Sequence, residues 1–125
     1  MILGTGIDII EVARIRSAFE KFGDRFPLRI LVGAEMEYCL SHRDPAPFIA
    51  ARFAAKEAVS KAFGTGIGPH LGWHDIEVRR KPSGEPYVIL HGKGEELLRS
   101  REASRLHLSI SHTVQHATAV SFLER

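Results

Sequence analysis

The chain has 125 residues, 44% of them hydrophobic, which fits one globular domain over residues 1–125 with a modest core. Its formal net charge of +2 is too small to indicate a nucleic-acid-binding protein. The single cysteine, Cys39, excludes an internal disulfide, and no apolar run reaches the roughly 18 residues that span a bilayer, so we expect a soluble, cytoplasmic protein.

The first predicted element is a strand over residues 2–10, which is apolar and rich in β-branched side chains. Gly4 and Gly6 allow a neighbouring element to approach its backbone closely. Asp8 interrupts the run, and a carboxylate in a buried strand is costly unless it is paired or binds a metal. From this segment alone, an edge strand that turns Asp8 to water or uses it to cap the next helix explains it equally well.

A helix is predicted from Glu11 onward, because apolar residues recur at helical intervals at Val12, Ile15, Phe19 and Phe22. A second stripe is basic and comprises Arg14, Lys21 and Arg25. Most such stripes are solvated faces, but beside a functional site this one would suit an acidic protein partner. A short apolar stretch follows Pro27, helical turns are predicted over residues 34–40, and residues 43–47 form a loop.

The central predicted helix covers residues 52–63. One side is small and apolar, and it comprises Ala54, Ala55, Ala58, Val59, Ala62 and Phe63. The other side is charged or polar and comprises Arg52, Lys56, Glu57, Ser60 and Lys61. We therefore expect the alanine side to pack closely and the charged side to present a site, with Gly64 ending the helix in a left-handed conformation. Glu57 and Lys61 share a face, although an exposed pair at this spacing usually only stabilises its helix slightly.

The remaining elements are strands and one short helix. Residues 76–79 and 87–90 form a predicted hairpin, residues 93–101 a helix, and residues 106–112 and 117–123 two antiparallel strands. In the first of these two strands, His107, Ser109 and Ser111 alternate with apolar residues. The pattern predicts an α+β fold with helices packed on an antiparallel sheet. Because the chain contains neither G-x-S-x-G nor H-E-x-x-H, a serine hydrolase and a zinc enzyme are disfavoured, and His107 and His112 can equally be polar residues on a wet sheet face.

Asp8 on a strand, and Glu57 with Lys61 on one helix face, form a combination with a definite chemical use. Two carboxylates with room for water and phosphate oxygens suit Mg²⁺. A nearby lysine supplies positive charge to a phosphate or to its leaving group. The combination predicts phosphoryl-type transfer from a pyrophosphate.

Three segments, in the same order, resemble the motifs of the 4′-phosphopantetheinyl transferases and, more narrowly, of the short bacterial holo-acyl-carrier-protein synthases. Residues 4–15 resemble the first motif, residues 53–68 the second and residues 107–112 the third. The turn around Pro86 and the chain length also match, so the likeness covers nearly the whole chain.

This resemblance implies transfer of the 4′-phosphopantetheine arm of coenzyme A to a serine of an apo acyl carrier protein, with release of adenosine 3′,5′-bisphosphate. Asp8 and Glu57 match the family's magnesium ligands, and Lys61 matches the lysine that meets the phosphates. Either Glu57 or a metal-bound water would accept the serine proton, and His112 would assist. The coenzyme A pocket would be formed by Lys61, Gly64, Pro86, His107, Ser109 and His112.

The resemblance also implies partners. The face that similar enzymes offer to the acidic carrier is matched here by Arg14, Lys21 and Arg25. Modification of an acyl carrier protein would place the protein in fatty acid and lipid biosynthesis. Similar short enzymes are homotrimers, so we expect active sites at subunit interfaces. Two alternatives remain: a non-catalytic module that binds acidic proteins, and a magnesium-dependent hydrolase that cleaves a nucleotide or coenzyme A pyrophosphate with water as the acceptor.

Overall fold

The computed structural model describes all residues from 1 to 125. In chain order the elements are β1 (Ile2–Glu11), α1 (Val12–Phe22), α2 (Arg25–Ile30), α3 (Gly33–Leu40), α4 (Ala46–Phe63), a 3₁₀ turn (Trp73–Asp75), β2 (Ile76–Arg80), β3 (Pro86–Leu90), α5 (Lys93–Ser100), β4 (Arg105–His112) and β5 (His116–Glu124). The α+β prediction is therefore confirmed. None of the helices is both long and apolar enough to cross a bilayer.

The strands form two antiparallel sheets. In the first, the order β1-β5-β4 sets the first and last strands side by side, with Glu11 opposite His116. In the second, β2 and β3 form the expected hairpin, with Arg80 opposite Pro86. Because β1 is an edge strand, Asp8 lies at the border of the larger sheet.

Small residues let α4 lie directly on β1. A methyl group on Gly4 would lie 1.9 Å from the backbone oxygen of Ala62, and one on Gly6 would lie 1.9 Å from that of Ala58. Only glycine fits at either position. The expected close approach is confirmed, and α4 is the element that makes it.

The core consists of a main cluster of 16 buried apolar residues and a second cluster of 6. α4 contributes to both clusters, because it packs against both sheets and against α1 and α3. Cys39 belongs to the main cluster, and burial raises the pKa of its thiol to about 11. Cys39 thus packs as a small buried hydrophobe.

Two boundaries differ from the prediction. α4 begins at Ala46, so it takes in the end of the predicted 43–47 loop. Pro47 is tolerated in the first turn because its fixed φ suits a helix start, where no backbone donor is needed. α1 ends at Phe22 because Gly23 adopts a φ of +61°, and Arg25 begins a different helix. Arg25 therefore does not continue the stripe of Arg14 and Lys21 on one helix face.

The predicted charged side of α4 is mostly buried, which corrects the expectation of an open polar face. Arg52 is 4% exposed, and Lys56 and Ser60 are wholly buried. Only Glu57, which is half-buried, and Lys61, which is exposed, reach the surface on that side. The amphipathic pattern failed because protein surrounds α4 on nearly every side.

Candidate active site

Asp8 and Lys61 join β1 to α4. The side chain of Asp8 is 17% exposed, and its Oδ1 lies 3.3 Å from the Lys61 Nζ. Lys61 also donates a hydrogen bond of 2.9 Å to the backbone carbonyl of Ile7. Asp8 thus lies on an edge strand, as one explanation held, yet its carboxylate is paired. The partner of Lys61 is Asp8 rather than Glu57.

Glu57 lies one helical turn before Lys61, near the Asp8 carboxylate. Partial burial raises the pKa of Glu57, the negative charge of Asp8 raises it further, and the Lys61 ammonium acts in the opposite direction. The two carboxylates are therefore close enough to repel each other. A divalent cation between them would relieve that repulsion.

The donor set fits magnesium better than zinc. No group of three or more His, Cys, Asp or Glu side chains is arranged to hold a metal ion by itself. Structural and catalytic zinc sites use three or four such ligands. Mg²⁺ keeps several waters and is commonly bound by one or two carboxylates together with substrate phosphates. Asp8 and Glu57 fit this second arrangement.

A cavity of about 300 Å³ opens beside this pair and is lined by Ile7, Asp8, Ile9, Lys61 and Thr118. The Thr118 hydroxyl donates a hydrogen bond of 2.8 Å to the backbone carbonyl of Asp8. This bond ties β1 to β5 at the residue that carries the carboxylate. The cavity leaves room for a ligand next to Asp8 and Lys61.

His112 shares a sheet face with Asp8 but lies two strands away. It is opposite Ala117 of β5, which is itself opposite Ile10 of β1. Two strand spacings separate the backbones by roughly 10 Å. The fold therefore brings His112 to the same side of the sheet as the carboxylates, without direct contact.

His107 and Ser109 point to the other face of the sheet, because side chains alternate along β4. Within one chain they do not join Asp8 and Glu57. The Nε2 of His107 lies 2.8 Å from the Glu124 carboxylate. This hydrogen bond holds the pKa of Glu124 below its usual value.

Gly64 and Pro86, the other two predicted pocket residues, lie in different parts of the molecule. Gly64 ends α4 with a φ of +80°, so its predicted left-handed conformation is confirmed. Pro86 opens β3 on the separate hairpin, opposite Arg80.

A model of the 4′-phosphopantetheinyl transferase superfamily matches residues 4–120. The holo-[acyl-carrier-protein] synthase of Koribacter versatilis is 51% identical over 124 residues, which cover 99% of both chains. The chain belongs to this superfamily. The family and the enzyme class expected from the sequence are confirmed.

Solved structures of holo-[acyl-carrier-protein] synthases share the fold of this transferase. The Neisseria meningitidis structure has a TM-score of 0.94, 34% identity and full coverage of both chains. The Helicobacter pylori enzyme in complex with coenzyme A has a TM-score of 0.85 and 35% identity, covering 96% of this chain and 99% of its own.

This transferase also has an arginine-lined cavity that the sequence did not predict. Its volume is about 220 Å³, and it is lined by Ala34, Glu35, Tyr38, Arg52, Val78, Arg79 and Arg80. The Arg52 guanidinium lies 4.4 Å from the centre of the Tyr38 ring, and its Nε has no hydrogen-bond partner. A buried donor left in this way costs about 1–3 kcal/mol, so an anion in the cavity would be stabilised. The sequence did not predict this cavity, because the helical pattern placed Arg52 on the polar side of the helix, where solvent was expected.

A second unpredicted cavity adjoins the basic stripe. Its volume is about 430 Å³, and it is lined by Ala18, Phe22, Arg25, Phe26 and Arg29. Phe22, which belongs to the apolar residues that recur along the predicted helix, is exposed. Arg14, Lys21 and Arg25 are all exposed as well. This region of the transferase is thus both basic and apolar.

Proposed function

We propose that this transferase moves the 4′-phosphopantetheine arm of coenzyme A to a serine of an apo acyl carrier protein, releases adenosine 3′,5′-bisphosphate and requires Mg²⁺. The observation that carries the proposal is the meeting of Asp8, Glu57 and Lys61 where β1 contacts α4. Coenzyme A as donor is supported by the complex of the Helicobacter pylori relative. We place the reaction in the cytoplasm, in fatty acid and lipid biosynthesis.

The chemistry is a phosphoryl-type substitution. The serine hydroxyl oxygen bonds to the phosphorus that carries the pantetheine arm, the bond to the bridging pyrophosphate oxygen breaks, and the bisphosphate leaves. Mg²⁺ held by Asp8 and Glu57 would neutralise the charge of the pyrophosphate. Lys61 is oriented by its bond to the Ile7 carbonyl and directs positive charge to the leaving phosphate.

Glu57 accepts the serine proton in this proposal. Partial burial raises the pKa of Glu57, which makes it a stronger base than an ordinary glutamate. His112 assists from the same face of the sheet, two strands away from Asp8. Gly64 and Pro86 remain predicted contacts of coenzyme A.

The arginine-lined cavity is the part of the coenzyme A pocket that takes its phosphate-bearing adenosine end. Arg52, Arg79 and Arg80 supply positive charge there, and the unpartnered Nε of Arg52 supplies a donor. Arg52 precedes Glu57 by five residues on α4, which is about 7.5 Å along the helix axis and about 140° around it, so coenzyme A would have to reach around α4 to contact both. We expect Arg52→Met to raise the KM for coenzyme A at least tenfold, as measured by the rate of carrier modification.

The open face of the larger sheet supports the homotrimer that we propose. Ile7 and Ile9 are 65% and 66% exposed on this face, and Phe122 is also exposed. A second copy that covers this face would bury these residues. It would also place His107 and Ser109, which lie on the same face, at the interface between subunits. Burial of such an apolar surface favours association.

Subunit mixing tests this arrangement. Asp8→Asn and His107→Ala should each be inactive alone. If each site combines groups from two subunits, exchange between the variants restores about a quarter of the sites. Separate sites within each chain would leave the mixture inactive.

Carrier recognition is proposed at Arg14, Lys21 and Arg25, beside the basic and apolar cavity. An acidic carrier would gain from charge complementarity there, and salt would weaken its binding. We expect Arg25→Glu to raise the KM for the carrier at least tenfold, with the KM for coenzyme A unchanged.

The deciding experiment is the intact mass of an apo acyl carrier protein incubated with this transferase, coenzyme A and Mg²⁺. The proposal predicts the gain of one phosphopantetheinyl group, lost in Glu57→Gln and without metal but kept in Glu96→Gln, which changes an exposed carboxylate on α5. Cleavage of coenzyme A with an unchanged carrier mass would favour the hydrolase. Unchanged carrier and coenzyme A would favour the binding module.

A further inference from the structure

A buried lysine immediately before Glu57 makes three hydrogen bonds. Lys56 Nζ donates to the Glu35 carboxylate at 2.7 Å, to the Ile30 carbonyl at 2.6 Å and to the Trp73 carbonyl at 3.1 Å. The side chains of Lys56 and Glu35 are almost completely inaccessible to solvent. All three protons of the ammonium group therefore have protein acceptors.

Glu35 is equally well bound. Its Oε1 accepts a hydrogen bond of 2.9 Å from the Val32 amide, and its Oε2 accepts one of 2.8 Å from the Val78 amide. Through this ion pair, α4 is fastened to the end of α2, the start of α3, the 3₁₀ turn and β2. Buried polar networks that are fully satisfied in this way make a structure rigid.

The position of the pair along α4 determines where Glu57 points. Adjacent residues on a helix project about 100° apart, so Lys56 faces α2, α3 and β2 while Glu57 lies near Asp8 on β1. A rotation of α4 by about 10° would move a group at the helix surface by about 1 Å. Such a displacement in an active site costs roughly a hundredfold in rate.

We infer that Lys56 and Glu35 are positioning residues, whose ion pair sets the rotation of α4 so that Glu57 and Lys61 meet Asp8. This inference rests on the proposed function. A buried ion pair is not needed for stability alone, because well-packed apolar residues often stabilise a core as much or more. The hydrogen bonds of the pair have fixed directions, so they can specify one orientation of the helix, which apolar packing does not.

The test compares Lys56→Met, which keeps the side-chain length but removes the ammonium group, with the wild-type transferase at a temperature where both are fully folded. We expect kcat for carrier modification to fall at least tenfold. We also expect the Kd of Mn²⁺, titrated into the protein with saturating coenzyme A and followed by paramagnetic resonance of the free ion, to rise at least threefold. Removal of a nearby positive charge would by itself tighten Mn²⁺ binding, so weaker binding reports altered geometry.

Leu71→Ala is the matched control, because it removes a buried side chain of the second core cluster. It should lower Tm while leaving kcat and the Mn²⁺ Kd of folded molecules within twofold of wild type. The inference would be overturned if Leu71→Ala lost as much kcat and Mn²⁺ affinity as Lys56→Met. It would also be overturned if folded Lys56→Met kept the wild-type kcat or the wild-type Mn²⁺ Kd. If Lys56→Met does not fold, Glu35→Gln, which keeps one acceptor for Lys56, is judged by the same criteria. Should the wild-type protein modify no carrier, the proposed function fails, and the Mn²⁺ comparison still decides the positioning role.

Discussion

A methyl group at Gly6 is predicted to damage both the fold and the site. In Gly6→Ala the new methyl carbon would lie 1.9 Å from the Ala58 carbonyl oxygen, whereas ordinary contact begins at 3.4 Å. The backbones of β1 and α4 must therefore separate by about 1.5 Å. Gly6 lies two residues before Asp8, and Ala58 directly follows Glu57, so the separation falls between the two carboxylates.

Two effects of measurable size follow. Overpacking of this kind typically costs about 1–3 kcal/mol of unfolding free energy. In a chain of this length each kcal/mol corresponds to about 3–6 °C in Tm. A displacement of more than 1 Å at the carboxylates should lower the transfer rate by roughly a hundredfold. Thermal unfolding followed by circular dichroism measures the first effect, and carrier modification followed by mass spectrometry measures the second.

Gly33→Ala supplies the matched control. Gly33 opens α3, and a methyl group there would meet no atom within 4 Å. This variant should keep the wild-type rate and lose no stability, because alanine is favoured over glycine in a helix and the new methyl group meets nothing. Wild-type stability and rate in Gly6→Ala would show that close packing of α4 on β1 does not hold the site together.

Three further predictions test separate parts of the structure. Asp8→Asn should abolish metal-dependent transfer but change the unfolding free energy by at most about 1 kcal/mol, because Lys61 is half-exposed. Burial acts to raise the pKa of Glu77, yet hydrogen bonds from His91 and a neighbouring arginine hold it below its usual value. The ionised carboxylate therefore stabilises the fold at neutral pH and loses this effect as pH falls through the lowered pKa. The Tm difference between wild type and Glu77→Gln should accordingly shrink between pH 5 and pH 2, and a constant difference would contradict it. Cys39 should resist alkylation at pH 8 until the protein unfolds, because its thiol is buried and its pKa is about 11; rapid labelling of folded protein would refute this.

Local pattern was enough to predict most elements. The alternation of β4 between apolar and polar residues depends only on which face meets the core, so the strand and its exposed His107 and Ser109 followed from the sequence. Gly64 was predictable because a left-handed helix end favours glycine over other residues. The pairing of β1 with β5 could not be predicted, because no local pattern specifies which strand becomes the neighbour of another.

The site was only partly predictable for the same reason. Asp8, Glu57 and Lys61 stood out through their residue types and their likeness to family motifs. The pairing of Lys61 with Asp8, across 53 positions, appeared only in the structure. Arg52 and its cavity were missed because the opposing residues come from α3 and β2, far away in the sequence.

The mistaken face of α4 has a general physical cause. A helix at the centre of a chain of 125 residues contacts both sheets and two other helices, so little of its surface can reach water. Charged residues on such a helix cannot all be solvated, and each buried one needs a partner from another element. For Lys56 that partner is Glu35, 21 residues earlier, and for Arg52 it is the ring of Tyr38. A dense run of charged residues on a central helix therefore indicates either buried ion pairs or a functional site. Only the neighbouring elements decide which of these residues are buried in ion pairs and which form the site.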